Sequence, residues 1–276
     1  MNLRTSEFFG AISLVLSLAF LTPCSDAADP APTATVSAKD LAANLAALQD
    51  GASYIRFRLE VKQPADTTKI SLQFQSKERR TKTATDLVYQ VLWPKERKGE
   101  AVLLHKAGGT PPTGSLYLPP EKPKPLNAPQ MNGAFFDSDL TYEDLIENFF
   151  DWDNQTIVGA EILNRVSCLI LESKPDKGEL STYASVRSWI DPRRLVPMRV
   201  EKYLPSGQIA RRIETTRVAT DDKGRFIPAD LTVRGSQENS VTNLDGSRIR
   251  HDGAYSDRDF SPEGLTEAPA PPPASP

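Results

Sequence analysis

The sequence predicts a mainly β domain with minor α content: one strongly curved antiparallel sheet, open like half a barrel, with helices covering its concave side. Three observations carry this prediction. From Tyr54 onward the chain divides into roughly a dozen short, turn-bounded segments in which apolar and polar residues alternate. Helical spacing or helix-start chemistry marks only residues 38–49 and 142–150. So many consecutive strands cannot lie flat without leaving a long apolar face in water, so the sheet must bend and its hollow side must be covered.

The N-terminus reads as an export signal. Met1-Asn-Leu-Arg4, an apolar run from Phe8 to Leu21 and Ser25-Asp-Ala-Ala28 follow the charged, apolar and small-residue order of a secretory leader, so residues 1–27 are assigned to a signal peptide. The run is shorter than the roughly 20 apolar residues a membrane-spanning helix needs. Cys24 sits where a lipid anchor would be attached, but the fixed backbone of Pro23 suits an extended peptidase substrate poorly, and simple release is expected. Loss of Cys24 with the leader isolates Cys168, which excludes an internal disulfide and leaves stability to a hydrophobic core. A formal net charge of −3 supplies no basic field for nucleic acid.

The elements follow in order. Residues 28–36 are rich in Pro, Ala and Thr and form a flexible linker. Ser37 can cap a helix over residues 38–49, with Leu41, Leu45 and Leu48 on one side. Ile55, Phe57, Leu59 and Val61 then alternate with Arg56, Arg58, Glu60 and Lys62. Ile70, Leu72 and Phe74 repeat the pattern after a turn at Pro64–Thr67, which predicts a hairpin. Strands follow at 86–93, 101–105 and 115–118, then a Pro-rich loop over 119–129. Thr141-Tyr-Glu-Asp144 has the form of a capping box, with Asp144 reaching back only weakly, and opens a helix to Phe150. Further strands are predicted at 155–160, 163–173, 182–190, 196–203, 209–218, 227–235 and 239–250, with hairpin-type turns at Asp222-Lys-Gly224 and Leu244-Asp-Gly246. The β domain thus spans 37–260, and residues 261–276, mostly Pro, Ala and Ser, form a disordered tail.

Four segments carry a family likeness. Trp93-Pro-Lys-Glu-Arg-Lys-Gly-Glu-Ala-Val-Leu-Leu104, Gly114-Ser-Leu-Tyr-Leu-Pro119, Ala134-Phe-Phe-Asp-Ser-Asp-Leu-Thr-Tyr-Glu-Asp-Leu145 and Ser188-Trp-Ile-Asp-Pro-Arg-Arg-Leu-Val-Pro-Met-Arg-Val-Glu-Lys-Tyr203 occur in that order. Together they resemble the LolA-like outer-membrane lipoprotein-sorting family, over about Ile55 to Ile213. Asp137 stands where that family usually has glycine, Leu140 where it has phenylalanine, and Pro111–Gly114 alters the turn before the "YLP" strand. The resemblance implies a half-open barrel, LolA/LolB-like, whose apolar hollow receives lipoprotein acyl chains in the periplasm. It also implies transient membrane-protein donors and acceptors, and a monomeric carrier is expected.

An acyl chain exposes about 0.8 kcal/mol of apolar surface per CH₂, so a carrier that buries it lowers the cost of crossing water. The expected cavity lining is aromatic: Tyr89, Trp93, Tyr117, Phe135, Phe136 and Trp189, with Leu145, Phe149 and Phe150 on a short, poorly anchored helix that could act as a lid. Asp139, Tyr142, Glu143 and Asp144 are the family-motif residues. The acidic run from Asp137 to Asp153 has the wrong spacing for a calcium loop, since the position that needs glycine, counted from Asp151, is Thr156; its charges are expected to cap the helix and face solvent. With two histidines, His105 expected to pack at a strand end and His251 at the surface, and with no Gly-x-Ser-x-Gly or His-Glu-x-x-His, neither catalysis nor a metal or cofactor is expected. Cys168 reads as inert core. Arg56 and Arg58 should face solvent, unless the open barrel turns one inward to hydrogen-bond a lid carbonyl or a lipid ester. The alternative function is a non-catalytic periplasmic interaction module whose core is filled by its own side chains.

Overall fold

The structure, a computed structural model, describes residues 36–63, 67–235 and 240–268. The expected signal peptide, nearly all of the linker and residues 269–276 lie outside these. The described residues form thirteen strands in one antiparallel sheet. The first group is β1 (Gly51–Gln63), β2 (Thr67–Arg80), β3 (Ala84–Trp93), β4 (Ala101–Ala107), β5 (Thr113–Tyr117) and β6 (Lys124–Leu126). The second is β7 (Asn154–Leu163), β8 (Val166–Lys174), β9 (Ser185–Asp191), β10 (Val196–Tyr203), β11 (Ile209–Thr220), β12 (Phe226–Gly235) and β13 (Val241–His251).

The order across the sheet is β6-β5-β4-β3-β2-β1-β13-β12-β11-β10-β9-β8-β7. Each half is a meander, and β13 returns to pair with β1 from Ser53↔His251 to Lys62↔Val241. The two edges, β6 and β7, are neighbours in sequence and do not pair, so the half-barrel stays open. The chain must therefore cross the whole sheet between Leu126 and Asn154. That crossing holds α2 (Ala128–Met131), α3 (Tyr142–Ile146) and 3₁₀ turns at Phe135–Asp137 and Phe149–Asp151, while α1 (Ala38–Ala47) precedes β1.

Pairing puts one continuous apolar face beneath these helices. Phe57, Leu59 and Val61 lie opposite Phe74, Leu72 and Ile70, and Leu59 also lies opposite Leu244. Val233 faces Ile213, Ile213 faces Val200, Val200 faces Ser188, and Ser188 faces Leu171. Residues directly opposite in an antiparallel pair point to the same side of the sheet, so this chain of pairs is the concave face. Met131, Phe135, Phe136, Leu140, Tyr142 and Ile146 from the crossing bury themselves on its β1–β4 half. Leu41, Ala42 and Leu45 of α1 join Phe150, Leu171 and Ile190 at the other end.

Several expectations are revised. The loop predicted over 119–129 contains a short strand and a helix; Pro125 is tolerated because β6 is an edge. Asp245-Gly246 is not a hairpin turn but lies inside β13, where the register with β1 shifts between Arg56 and Arg58; a Cβ on Gly246 would stand 2.6 Å from that of Phe57, so the close approach requires glycine. The helix expected to reach Phe150 ends at Ile146, because Glu147 turns to an extended conformation (φ −77°, ψ 128°). The break lets Phe149 and Phe150 reach the α1 cluster. The tail expected to be disordered from Ser261 is packed through the described residues: Leu265, only 1% exposed, is buried with Val88, Ala101 and Leu103 on the convex face, and Phe260 packs against the same cluster.

Candidate functional site

Sequence begins the site at α1. Ser37 accepts a hydrogen bond from the Asp40 amide at 3.0 Å and starts the helix, and the spacing of Leu41, Leu45 and Leu48 gives it one apolar side. Gly51, at φ +104°, turns the chain from the helix into β1. The concave face is not filled where α1 ends. A cleft of about 420 Å³ lies between the end of α1, Phe150 and strands β1, β2, β10, β12 and β13, within the range of small-ligand sites. Its walls are apolar, with Leu45, Leu48, Ile55, Phe150, Leu231 and Ile249 among them. Its polar side holds Asp50, Glu78, Arg80, Asp221, Arg225 and His251.

Of the nine residues expected to line a hollow, Phe150 is the one that borders this cleft. Tyr89, Phe135 and Phe136 are core: Phe135 lies 5.4 Å from Phe74 and 4.9 Å from Phe136 between ring centres, and Leu145 packs beside them. Phe149 is half-buried between α1 and Trp152, beneath the Lys202 ammonium at 5.7 Å. Tyr117 and Trp189 belong to clusters on the convex face, where the Trp189 indole N–H donates to Glu161 at 2.6 Å. Trp93 is 51% exposed. Aromatic content could not distinguish these positions because aromatics fill cores as readily as cavities. The wall residues Leu45, Leu48 and Ile55 carried a signal in their helical and alternating spacing. Arg80, Leu231 and Ile249 carried none that marks a cavity.

The family-motif residues hold the crossing in place. Asp139 accepts from Ser240 Oγ at 2.5 Å and Thr242 Oγ1 at 2.7 Å, tying the crossing to β13. Glu143 accepts from the Thr182 amide at 2.7 Å and hydroxyl at 2.6 Å. Asp144, with a side chain 0% exposed, pairs with Lys202 at 2.9 Å and Arg211 at 3.2 Å, and accepts from Tyr183 at 2.6 Å. It also accepts from the Thr141 amide at 2.9 Å, so the capping box closes fully. Burial disfavours its charge, but Lys202, Tyr183 and Arg211 more than offset that and hold its pKa at about 2. Asp139, Glu143 and Glu147 are likewise buried, so these members of the acidic run do not face solvent as expected. Tyr142 is buried core, and its hydroxyl pKa is raised by burial. The segment expected to be a loosely held lid is therefore fastened by ion pairs.

His251, expected at the surface, has a side chain only 11% exposed. Its Nδ1 is 2.5 Å from Asp222, and Arg225 donates to its Nε2 at 2.5 Å and to Asp221 at 2.8 Å. Asp221, Asp222 and His251 stand close enough together to hold a cation. Arg225 and the backbone amides of Lys223, Arg225 and His251 already engage these groups, which makes the cluster an ion-pair network. Burial raises the Asp221 pKa, and the Arg225 amide and guanidinium reverse that to leave it below the ordinary carboxylate value. His105, expected to pack at a strand end, has a 46% exposed side chain 2.7 Å from Asp86.

A large open antiparallel sheet with an apolar concave face under helical segments defines the LolA-like fold class. Three solved structures share it. A DUF1329 family protein from Desulfovibrio piger aligns with a TM-score of 0.75 at 21% identity, covering 83% of this chain and 97% of that one. A putative outer membrane lipoprotein-sorting protein domain from Vibrio parahaemolyticus aligns at 0.72 and 20%, covering 82% and 97%. A LolA superfamily protein from Nitrosomonas europaea aligns at 0.65 and 16%, covering 82% and 98%. No curated protein matches. The family model described as "Uncharacterized protein" matches residues 84–267, and the chain belongs to that family.

Proposed function

We propose that the protein is a periplasmic carrier that binds lipoprotein acyl chains or another lipid in the concave cleft and serves outer-membrane lipoprotein sorting without catalysing a reaction. The observation that carries this reading is the apolar cleft of about 420 Å³ left between α1 and the sheet, in a fold whose other half is covered by a buried aromatic cluster. Burial of each methylene there would contribute about 0.8 kcal/mol, so a modest length of chain suffices for useful affinity. The lid in this reading is α1. It docks through Leu41, Ala42, Leu45 and Ala46, whereas the crossing is fixed by buried charges. Apolar docking can slide or lift without stranding an ion in a dry interior. The proposed partners are transient donor and acceptor membrane proteins.

The test is native mass spectrometry of the exported protein. A bound mass that detergent displaces, and that Leu231→Trp excludes by filling the cleft, is expected. Protein that is ligand-free as isolated and takes up no acyl probe would refute the carrier. It would favour the interaction module, whose support is the β1–β4 half, filled by Phe135 and Phe136.

A further inference from the structure

We infer that the cleft takes an acyl chain by a neutral ester or amide carbonyl, with Arg80 as the donor that fixes the head group, and that it discriminates against free fatty acids. This rests on the carrier reading and adds the head-group chemistry.

Arg80 ends β2 on the cleft wall with a side chain 12% exposed. Its Nη1 is buried and has no hydrogen-bond partner, and its Nε stands 3.8 Å from the Glu78 carboxylate, too far for a charge-assisted hydrogen bond. A buried guanidinium N–H without an acceptor is costly, and a ligand that brings an oxygen to it recovers that cost. A bare hydrocarbon cannot.

The neighbouring charges decide which oxygen fits. Asp50 and Glu78 line the same cleft, beside Asp221, whose charge the Arg225 guanidinium already meets. Arg225 is engaged with Asp221 at 2.8 Å and His251 at 2.5 Å, and Arg80 is the lining arginine with a buried, unpartnered donor. At Asp151, next to the lining residue Phe150, burial and then Asp50 raise the pKa, and the Arg80 charge and the Asn148 side chain offset that only in part. A chain ending in a carboxylate would bring a further anion among these acids, whereas an ester or amide carbonyl accepts from Nη1 without that repulsion. Leu45, Ile55, Phe150, Leu231 and Ile249 then cover the methylenes.

The experiment is competition by dodecane, methyl dodecanoate and dodecanoate for a fluorescent alkyl probe on the mature chain. Methyl dodecanoate is expected to displace the probe about tenfold more effectively than dodecanoate, and Arg80→Met to shrink the ester's advantage over dodecane by about tenfold. Dodecanoate binding as tightly as its ester, or an ester advantage unchanged in Arg80→Met, overturns the inference. Should Arg80→Met fail to fold, the ranking on the natural chain still decides. Dodecane binding with no head-group preference sinks this inference alone, while failure of all three competitors sinks the carrier reading with it.

Discussion

Asp144 and Glu147 sit a helical turn apart in the same buried region, yet their protonation is driven in opposite directions. Asp144 has two cations and a phenol within hydrogen-bond reach. The Glu147 Oε2 has no partner, and burial lifts that group's pKa to about 7 despite Lys202 and a hydrogen bond from Ser181. The signs follow. The depressed Asp144 value stabilises the fold above its unfolded value, about 3.9, and that contribution is lost as pH falls through about 2. The raised Glu147 value stabilises the fold below its unfolded value, about 4.3, and is lost as pH rises through about 7. The urea midpoint is thus expected to fall from about pH 5 to about pH 8, and Glu147→Gln to flatten that fall while keeping the acid limb. A natural-chain midpoint that is level across the range would contradict the assignment. A residue-scale departure from the family pattern also finds its reason: Asp137 stands in the left-handed region at φ +62°, where glycine is easiest and aspartate is among the better-tolerated alternatives.

At the scale of elements, the two helical regions on the concave face are held by different forces. The crossing is pinned by Asp139, Glu143 and Asp144, each bonded to a residue distant in sequence. The docking of α1 is apolar, centred on Leu41 at 1% exposed and Leu45 at 3% exposed. Elements held by fewer interactions open at lower free energy. Hydrogen exchange is expected to release the amides of α1 before those of α3, and Leu41→Ala to widen the gap by roughly 2–5 kcal/mol of local stability. Equal protection of both helices would remove α1 as the lid. Both regions were legible in the sequence, through leucine spacing and a Thr-x-x-Asp cap. Their relative tightness was not, because ion-pair partners such as Lys202 and Arg211 lie far along the chain and carry no local mark.

For the whole molecule, the consequential feature is that β6 and β7 occupy opposite edges although they follow one another in sequence. That arrangement drives residues 127–153 across the concave face and places the aromatic crossing over one half of it. On the convex face, the segment Asp257–Thr266 acts as a clasp: Lys77 pairs with Asp259 at 2.6 Å, Arg79 with Asp257 at 2.9 Å, and Leu265 fills the gap between β3, β4 and the segment. Leu265→Ala is expected to destabilise the domain by about 2–5 kcal/mol in thermal or urea unfolding. A change below about 0.5 kcal/mol would show that the clasp is dispensable.

The sequence alone determined the mainly β class, nearly every strand and the apolar side of each, because side-chain alternation is a local property with period two. It also determined the starts of α1 and α3, because caps are satisfied within a turn. Only the tertiary structure decided where the strands meet, which aromatics are core, which acids are buried, and where the concave face is left unfilled. Those outcomes depend on pairs such as Thr242 with Asp139, more than a hundred residues apart and joined only when β13 closes on β1.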